Sequence, residues 1–464
     1  MIIALIIAVL ALVTIVFVLV SGLFLPLVQD DSQSGNKLKI PVMLQDQNSD
    51  PDIAEFVLQV QSGQTNFIGN WLTQTLGYNG SYLGPVLRIR KGEKVNIRVD
   101  NQLSFPTTLH WHGLVVDGEQ DGGPHQGIQP GKNWNPAFTV DQDAATLWYH
   151  PHFMGDTADQ VYYGLAGLIY IDDENSGQLD LPEEYGINDI PLVVQDRSFN
   201  SDGSFDYRTS MMGVVAGDTI LINGTINPFI NVNKGNVRFR ILNASNSQNF
   251  EFRLSDANNF QQIASDGGFL EAPLTRQSIF LTPGERAEVI VDFAKTKRSS
   301  VTLMLGNKPI MTINITSENP DTTELPESLT RIEPISEDGN PKTRIFELQS
   351  MGISGTINGK SFDMNRIDEE VSLNETEIWI IRNSGGMMQT SGHPFHVHGT
   401  QFQIISRNGQ VPPLQEQGFK DTVFVNIGEE VKIRVRFTHP GLFMYHCHIL
   451  EHEDSGMMGQ FRVS

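Results

Sequence analysis

Gly84-Pro-Val-Leu-Arg-Ile-Arg-Lys-Gly92, running on through Val95-Asn-Ile-Arg-Val-Asp-Asn101, has a second copy in Asn227-Pro-Phe-Ile-Asn-Val-Asn-Lys-Gly235 and Val237-Arg-Phe-Arg-Ile-Leu-Asn243. A fainter third copy is Glu375-Thr-Glu-Ile-Trp-Ile-Ile-Arg-Asn383. Apolar and polar side chains alternate in these segments, the period of a half-buried strand, so each copy reads as a strand, a turn and a second strand. Further on, Leu281-Thr-Pro-Gly-Glu-Arg-Ala-Glu-Val-Ile-Val-Asp-Phe293 pairs with Val425-Asn-Ile-Gly-Glu-Glu-Val-Lys-Ile-Arg-Val-Arg-Phe437, and Pro130-Gly131 opens the matching stretch of the first unit. Three repeats of about 130 residues follow, the size of one β-sandwich each. The expected fold is all-β: three Greek-key β-sandwich domains over 38–172, 187–316 and 343–464. The acidic, proline-bearing segments 172–186 and 317–342 read as ordered linkers between them.

From Ile2 to Val20 only Thr14 is polar, and no Lys or Arg precedes Lys37. Residues 1–29 are therefore expected to be a membrane-inserting signal or anchor, long enough to span a bilayer. A basic n-region and a small-x-small cleavage site are not plain in it, which favours an uncleaved anchor and an extracytoplasmic body. A buried core helix would need a polar face that this run lacks. The formal charge of −22 argues against nucleic acid as a partner and for an attraction to cations. One cysteine excludes an internal disulfide. Asn-x-Ser/Thr sequons at Asn79, Asn223, Asn243, Asn314 and Asn374 are what Asn-rich loops produce by chance.

Laid over one another, the repeats locate the chemistry. The first unit holds His110-Trp-His112 and His150-Pro-His152; the third holds His393-Pro-Phe-His396-Val-His398 and Tyr445-His446-Cys447-His448. At the matching points the second unit has Phe250-Glu-Phe252 and Leu303-Met-Leu305, and no ligands. The outer domains are thus expected to meet and share a metal cluster, with the middle one fixing their approach. The 12 histidines in 464 residues would give about 0.3 His-x-His pairs by chance, and four occur. His125 and His439 fall outside the constellation and read as structural. In a strand His446 and His448 share one face, about 7 Å apart, while Cys447 takes the other, so one strand can serve two sites. His452 and Met457 follow the cysteine, and a thiolate with imidazoles and a weak thioether is the ligand set of a blue-copper centre. Zinc would not call for ten histidines and one cysteine in this order.

From about residue 40 to the end, the sequence resembles the multicopper oxidases. The residues that carry the likeness are the family's four motifs, HWHG, HxH, HPxHxHG and HCHxxxHxxxxM, all present. Asp121-Gly-Gly-Pro124, Ile190-Pro-Leu-Val-Val-Gln-Asp196 and Thr356-Ile-Asn-Gly-Lys-Ser-Phe-Asp-Met-Asn365 place it near the bacterial three-domain branch of laccase-like proteins and cuprous oxidases. The resemblance implies cupredoxin-like domains and about four coppers. It implies a type 1 copper on His393, Cys447, His452 and axial Met457, rather than on the adjacent Met458. It implies a type 2 copper on His110 and His396, one type 3 copper on His112, His150 and His448, and the other on His152, His398 and His446. Four one-electron oxidations of a small reducing substrate would then reduce dioxygen to two waters. The reduction consumes four protons, and Asp121 and Glu453 match the family's carboxylates near the cluster. Phenols and aromatic amines are the expected substrates, with a Cu(I) or Fe(II) oxidase as the alternative. A copper nitrite reductase would not carry four His-x-His pairs, and a non-enzymatic scaffold would have lost ligands.

Overall fold

In the computed structural model, which describes residues 36–210, 213–316, 324–337, 339–385 and 392–464, the repeated segment is used the same way three times. The first strands of the first two copies, Leu87–Arg90 and Pro228–Asn233, and the strand just before the third copy, Glu369–Val371, each pair in parallel with the last strand of their own repeat: Gly167–Asp172, Lys308–Thr316 and Met458–Val463. The second strands, Lys94–Asn101, Asn236–Asn243 and Thr376–Asn383, join the opposite sheet. There they run parallel to Ile53–Thr65, Asp189–Arg197 and Lys342–Met351. The turn between the two strands is therefore a crossing between the sheets of a sandwich and not a hairpin. It needs a left-handed residue, supplied by Gly92 (φ 86°) and Gly235 (φ 134°); the third copy has no glycine and uses Asn374 at φ 65°, a residue type that tolerates this region.

Each repeat closes as two facing sheets around its own apolar core. Leu58, Val99 and Trp111 fill the first, Leu192, Phe252 and Val289 the second, and Phe346, Trp379 and Phe461 the third. Together Lys37–Ser464 form one compact unit. Burial alternates along Lys94–Asn101 and Thr376–Asn383, as the sequence pattern requires, but every position of Asn236–Asn243 is buried. The outward side chains of that middle-domain strand face the first domain. Arg240 pairs with Asp189 at 2.8 Å and donates to Thr146 Oγ1 at 2.9 Å, while Thr146 donates to Glu288 at 2.6 Å. Charges at alternate positions, which normally mark a solvated face, here form an interdomain layer.

The described parts of both connecting segments are ordered. Leu181 and Leu329 are buried in one cluster with Ile263 and Phe269, and Leu329 N–H donates to Glu271 O at 2.8 Å. The first strand of the third domain begins at Lys342, one residue before the expected start of that domain. Among the described residues the α-helices are short, Thr157–Tyr162 and Leu450–Asp454. The apolar run from Ile2 to Val20 lies outside the described residues.

Candidate metal centre

Four strands carry the histidines to one place. In the first domain His110–His112 lies antiparallel to Ala145–His150 with His110 opposite His150, and His152 follows just past the strand end. In the third, His393–Val397 lies antiparallel to Gly441–Cys447 with His396 opposite His446. The two halves interdigitate: the His110 and His398 rings stack at 3.8 Å, and those of His112 and His396 at 3.7 Å. Nitrogens of His152, His398 and His446 lie within 4.8 Å of one another, as do those of His110, His112 and His150. The His448 ring stands 4.9 Å from His112 and 5.4 Å from His150. All eight of these histidines are buried. The His446 and His448 rings are 5.6 Å apart, closer than along an ideal strand, because the strand stops at Cys447 and the chain bends there.

On the other side of the same strand Cys447 Sγ lies 3.3 Å from His393 Nδ1 and 3.9 Å from His452 Nδ1. The segment after the cysteine is a short helix, Leu450–Asp454; Leu and Glu are good helix formers, and the turn brings His452 back over the thiol. Met457 is fully buried, and its carbonyl accepts the Cys447 N–H at 3.0 Å. Its side chain runs along Gly355, where any Cβ would sit 2.6 Å from its sulfur. Met458 instead opens the last strand, opposite His446.

The ring nitrogens fit metal ions. His110, His150, His396 and His398 spend Nδ1 on Asp121 O (3.0 Å), Pro151 O (2.7 Å), Asp421 O (2.8 Å) and the Asp121 carboxylate (2.8 Å), respectively. Nε2 of His110, His150 and His396 then makes no hydrogen bond although fully buried, as does Nδ1 of His112. Buried polar atoms are rarely left so, and several converging lone pairs define a cation site. Burial, reinforced by neighbouring rings, holds His150, His396 and His398 well below the usual imidazole range. Burial also brings His152, His393 and His448 to about 3. Neutral rings are what a metal needs. Burial pushes the Cys447 thiol up, so a thiolate here requires a cation beside it.

Asp121 and Glu453 both reach the histidines. Asp121 is buried and takes the His398 Nδ1–H, with a second contact to His110 Nδ1 at 3.4 Å. Glu453 sits 3.1 Å from His446 Nδ1 and 3.4 Å from His152 Nδ1. Burial would raise its pKa, but His152 and His446 hold it down, to about 2, so it stands as a carboxylate. His125 contacts Gln460 at 2.8 Å, and His439 contacts Thr438; neither joins the cluster. The sequence reading missed Asp421, Arg286 and Gly284. Asp421 Oδ1 lies 3.0 Å from His112 Nε2, and Arg286 grips its carboxylate at 2.8 and 2.6 Å. A repeat comparison carries the signal: Arg286 stands where the third copy has Glu430, which lies at the surface in contact with Arg382 and Lys432.

A ten-histidine, one-cysteine centre shared by the outer members of three β-sandwiches defines a copper protein class. Multicopper oxidase family models match residues 59–176, 180–317 and 331–464, and the chain belongs to the multicopper oxidase family. It is 41% identical over 436 residues to the multicopper oxidase mco of Staphylococcus haemolyticus, covering 94% of each chain. It is 33% identical to the cell division protein FtsP of Photorhabdus laumondii, over 96% of this chain and 97% of that one. A crystal structure of a laccase from Pediococcus acidilactici superposes with a TM-score of 0.90 at 39% identity, covering 94% of this chain and 95% of that one. The protein is a copper-dependent oxidoreductase with dioxygen as acceptor.

Proposed function

We propose that the chain oxidises small phenolic or aromatic-amine donors in the manner of a laccase. In this reading His393, Cys447, His452 and Met457 hold the type 1 copper and His110 and His396 the type 2 copper. His112, His150 and His448 hold one type 3 copper, and His152, His398 and His446 the other. Bound there, copper supplies one-electron chemistry at the cysteine and dioxygen reduction at the histidine cluster. The remaining work belongs to the protein. Cys447 and its neighbours His446 and His448 link the two sites through a few covalent bonds. Trp148 stacks on His150 at 4.1 Å and helps exclude water. Asp121 holds His398 and His110 through Nδ1, Glu453 stands beside His446 and His152, and both offer carboxylates to incoming protons.

Asp121→Asn is expected to keep the blue colour, since Asp121 touches no group of the cysteine site, and to slow reoxidation of the reduced protein by about 10²-fold or more. Wild-type reoxidation in that variant would return Asp121 to a turn residue.

The observation that carries the substrate reading is the set of exposed apolar side chains beside the cysteine site. Strands Lys342–Met351 and Ser354–Ile357 are joined by a two-residue turn, with no insertion between them. Ser455 donates to Ile353 O at 2.6 Å and Phe362 N–H donates to Gly456 O at 3.0 Å, so both flanking segments lie at the edge of the Ser455–Gly456 loop. Met351, Ile353 and Met364 on these segments are exposed. Exposed apolar side chains such as these suit flat aromatic donors. Gly386, Met387 and Met388 lie outside the described residues. A metal-ion oxidase draws support from the same two exposed thioethers, which are soft ligands for Cu(I), and from the acidic surface. The comparison to make is kcat/KM for a methoxyphenol against Cu(I) and Fe(II). The phenol should win; an advantage above about tenfold for either ion, roughly 1.4 kcal/mol in transition-state stabilisation, would establish the metal reading instead.

A further inference from the structure

We infer that Arg286, from the domain that holds no metal ligand, is a positioning residue of the oxygen-reducing site, acting through Asp421 on His112 and His396. The inference rests on the reading of these histidines as copper ligands.

Arg286 is fully buried, and each of its five N–H groups has an acceptor. Nε donates to Thr146 O at 3.0 Å, Nη1 to Gly284 O at 3.0 Å and to Asp421 Oδ1 at 2.8 Å, and Nη2 to Asp266 O at 2.9 Å and to Asp421 Oδ2 at 2.6 Å. One side chain thus fastens the first-domain strand that ends in His150, its own loop, and the third-domain residue Asp421. The fork fixes the carboxylate plane in a way a single ammonium cannot.

What that plane orients is specific. Asp421 Oδ1 faces His112 Nε2 at 3.0 Å, and the Asp421 carbonyl accepts the His396 Nδ1–H at 2.8 Å. His112 is therefore held by Nε2 and turns Nδ1 toward the other rings, whereas His110, His150, His396, His398 and His446 are held by Nδ1. The Asp421 carboxylate, pinned by Arg286, selects this inverted orientation. Gln401 Nε2, 3.0 Å from Asp421 Oδ2, and Thr422 Oγ1, 3.0 Å from Oδ1, assist but carry no charge. With Arg286 gone, nothing else grips both carboxylate oxygens at once, and His112 and His396, assigned to different coppers, would lose their common reference.

The test compares Arg286→Lys and Arg286→Gln with Arg240→Gln. The control residue is a buried arginine of the same middle-domain sheet, paired to Asp189 and Glu288 and touching no histidine. Copper per chain, the type 2 electron paramagnetic resonance signal, the blue absorption and the Tm of metal-free protein are measured for each. Both Arg286 variants should keep the blue absorption, lose copper from the histidine cluster, show an altered or missing type 2 signal, and bind cluster copper about tenfold or more weakly. Arg240→Gln should lower the metal-free Tm and leave the copper signatures alone. Should Arg286→Gln fail to fold, Arg286→Lys and Asp421→Asn carry the test with the same expected signature. Wild-type copper content and type 2 signal in the Arg286 variants, or equal copper loss in Arg240→Gln, would overturn the role. A wild-type chain that bound only the blue copper would overturn the ligand reading itself, and this inference with it.

Discussion

Cys447→Ser gives a colourless protein that turns over no donor above background and holds about one copper fewer than the wild type. The sulfur lies 3.3 and 3.9 Å from the Nδ1 atoms of His393 and His452, in a core where nothing else can act as a soft anion. Burial already opposes ionisation of the thiol. A serine hydroxyl, harder and far less acidic, will not form the anion or the strong charge-transfer colour of a copper thiolate. The histidine cluster shares no side chain with Cys447, so its copper should remain. Visible spectra and metal analysis decide the matter, and a serine variant that stayed blue would remove the ligand assignment at its root.

Gly284→Ala should be nearly as damaging, although it lies in the domain without ligands. A Cβ there would sit 3.0 Å from His448 Nε2 and Cδ2 and 3.1 Å from His112 Cε1, with the backbone at φ 87°. A non-glycine residue at such a φ costs on the order of 1–3 kcal/mol by itself. The rings cannot retreat, because His112 is pinned by Asp421 and packed on His396, and His448 is flanked by Trp148. We expect loss of copper from the His112, His150 and His448 set and a fall in dioxygen reduction of about 10²-fold, with the blue colour intact. A variant with full copper content and wild-type turnover would show that the loop is free to move aside.

Much of this was legible in the chain because the ligands come in local pairs. His-x-His needs only a strand to aim both rings at one face, so the four motifs announce the cluster without any tertiary knowledge. The strand-turn-strand copies announced three sandwiches for the same reason. Less legible was the crossing between sheets at Gly92, Gly235 and Asn374, since alternation looks the same in a hairpin and in a sheet-to-sheet passage. Arg286 and Asp421 were invisible as a site. They lie 135 residues apart, each amid ordinary strand sequence, and only the docking of domains makes them a pair. The burial of Arg238 and Arg240 was illegible for a related reason: alternating charge looks the same on a solvated face and under a covering domain.

The short helix Leu450–Asp454 also has a bearing on the order in which the molecule is made. Asp454 accepts the backbone N–H groups of Gly155, Thr157 and Ala158, so the segment that bears His452 is moored to the first domain. The contacts that shut the metal centre span 277 residues from Asp121 to His398, 294 from His152 to His446, and 309 from His112 to Asp421. Pairings so remote in sequence form late, after the domains that frame them. A growing chain therefore displays the first four histidines long before their partners exist, and holds no complete centre until Met457 has been synthesised. Metal capture belongs to a chain in which the third domain has already been made.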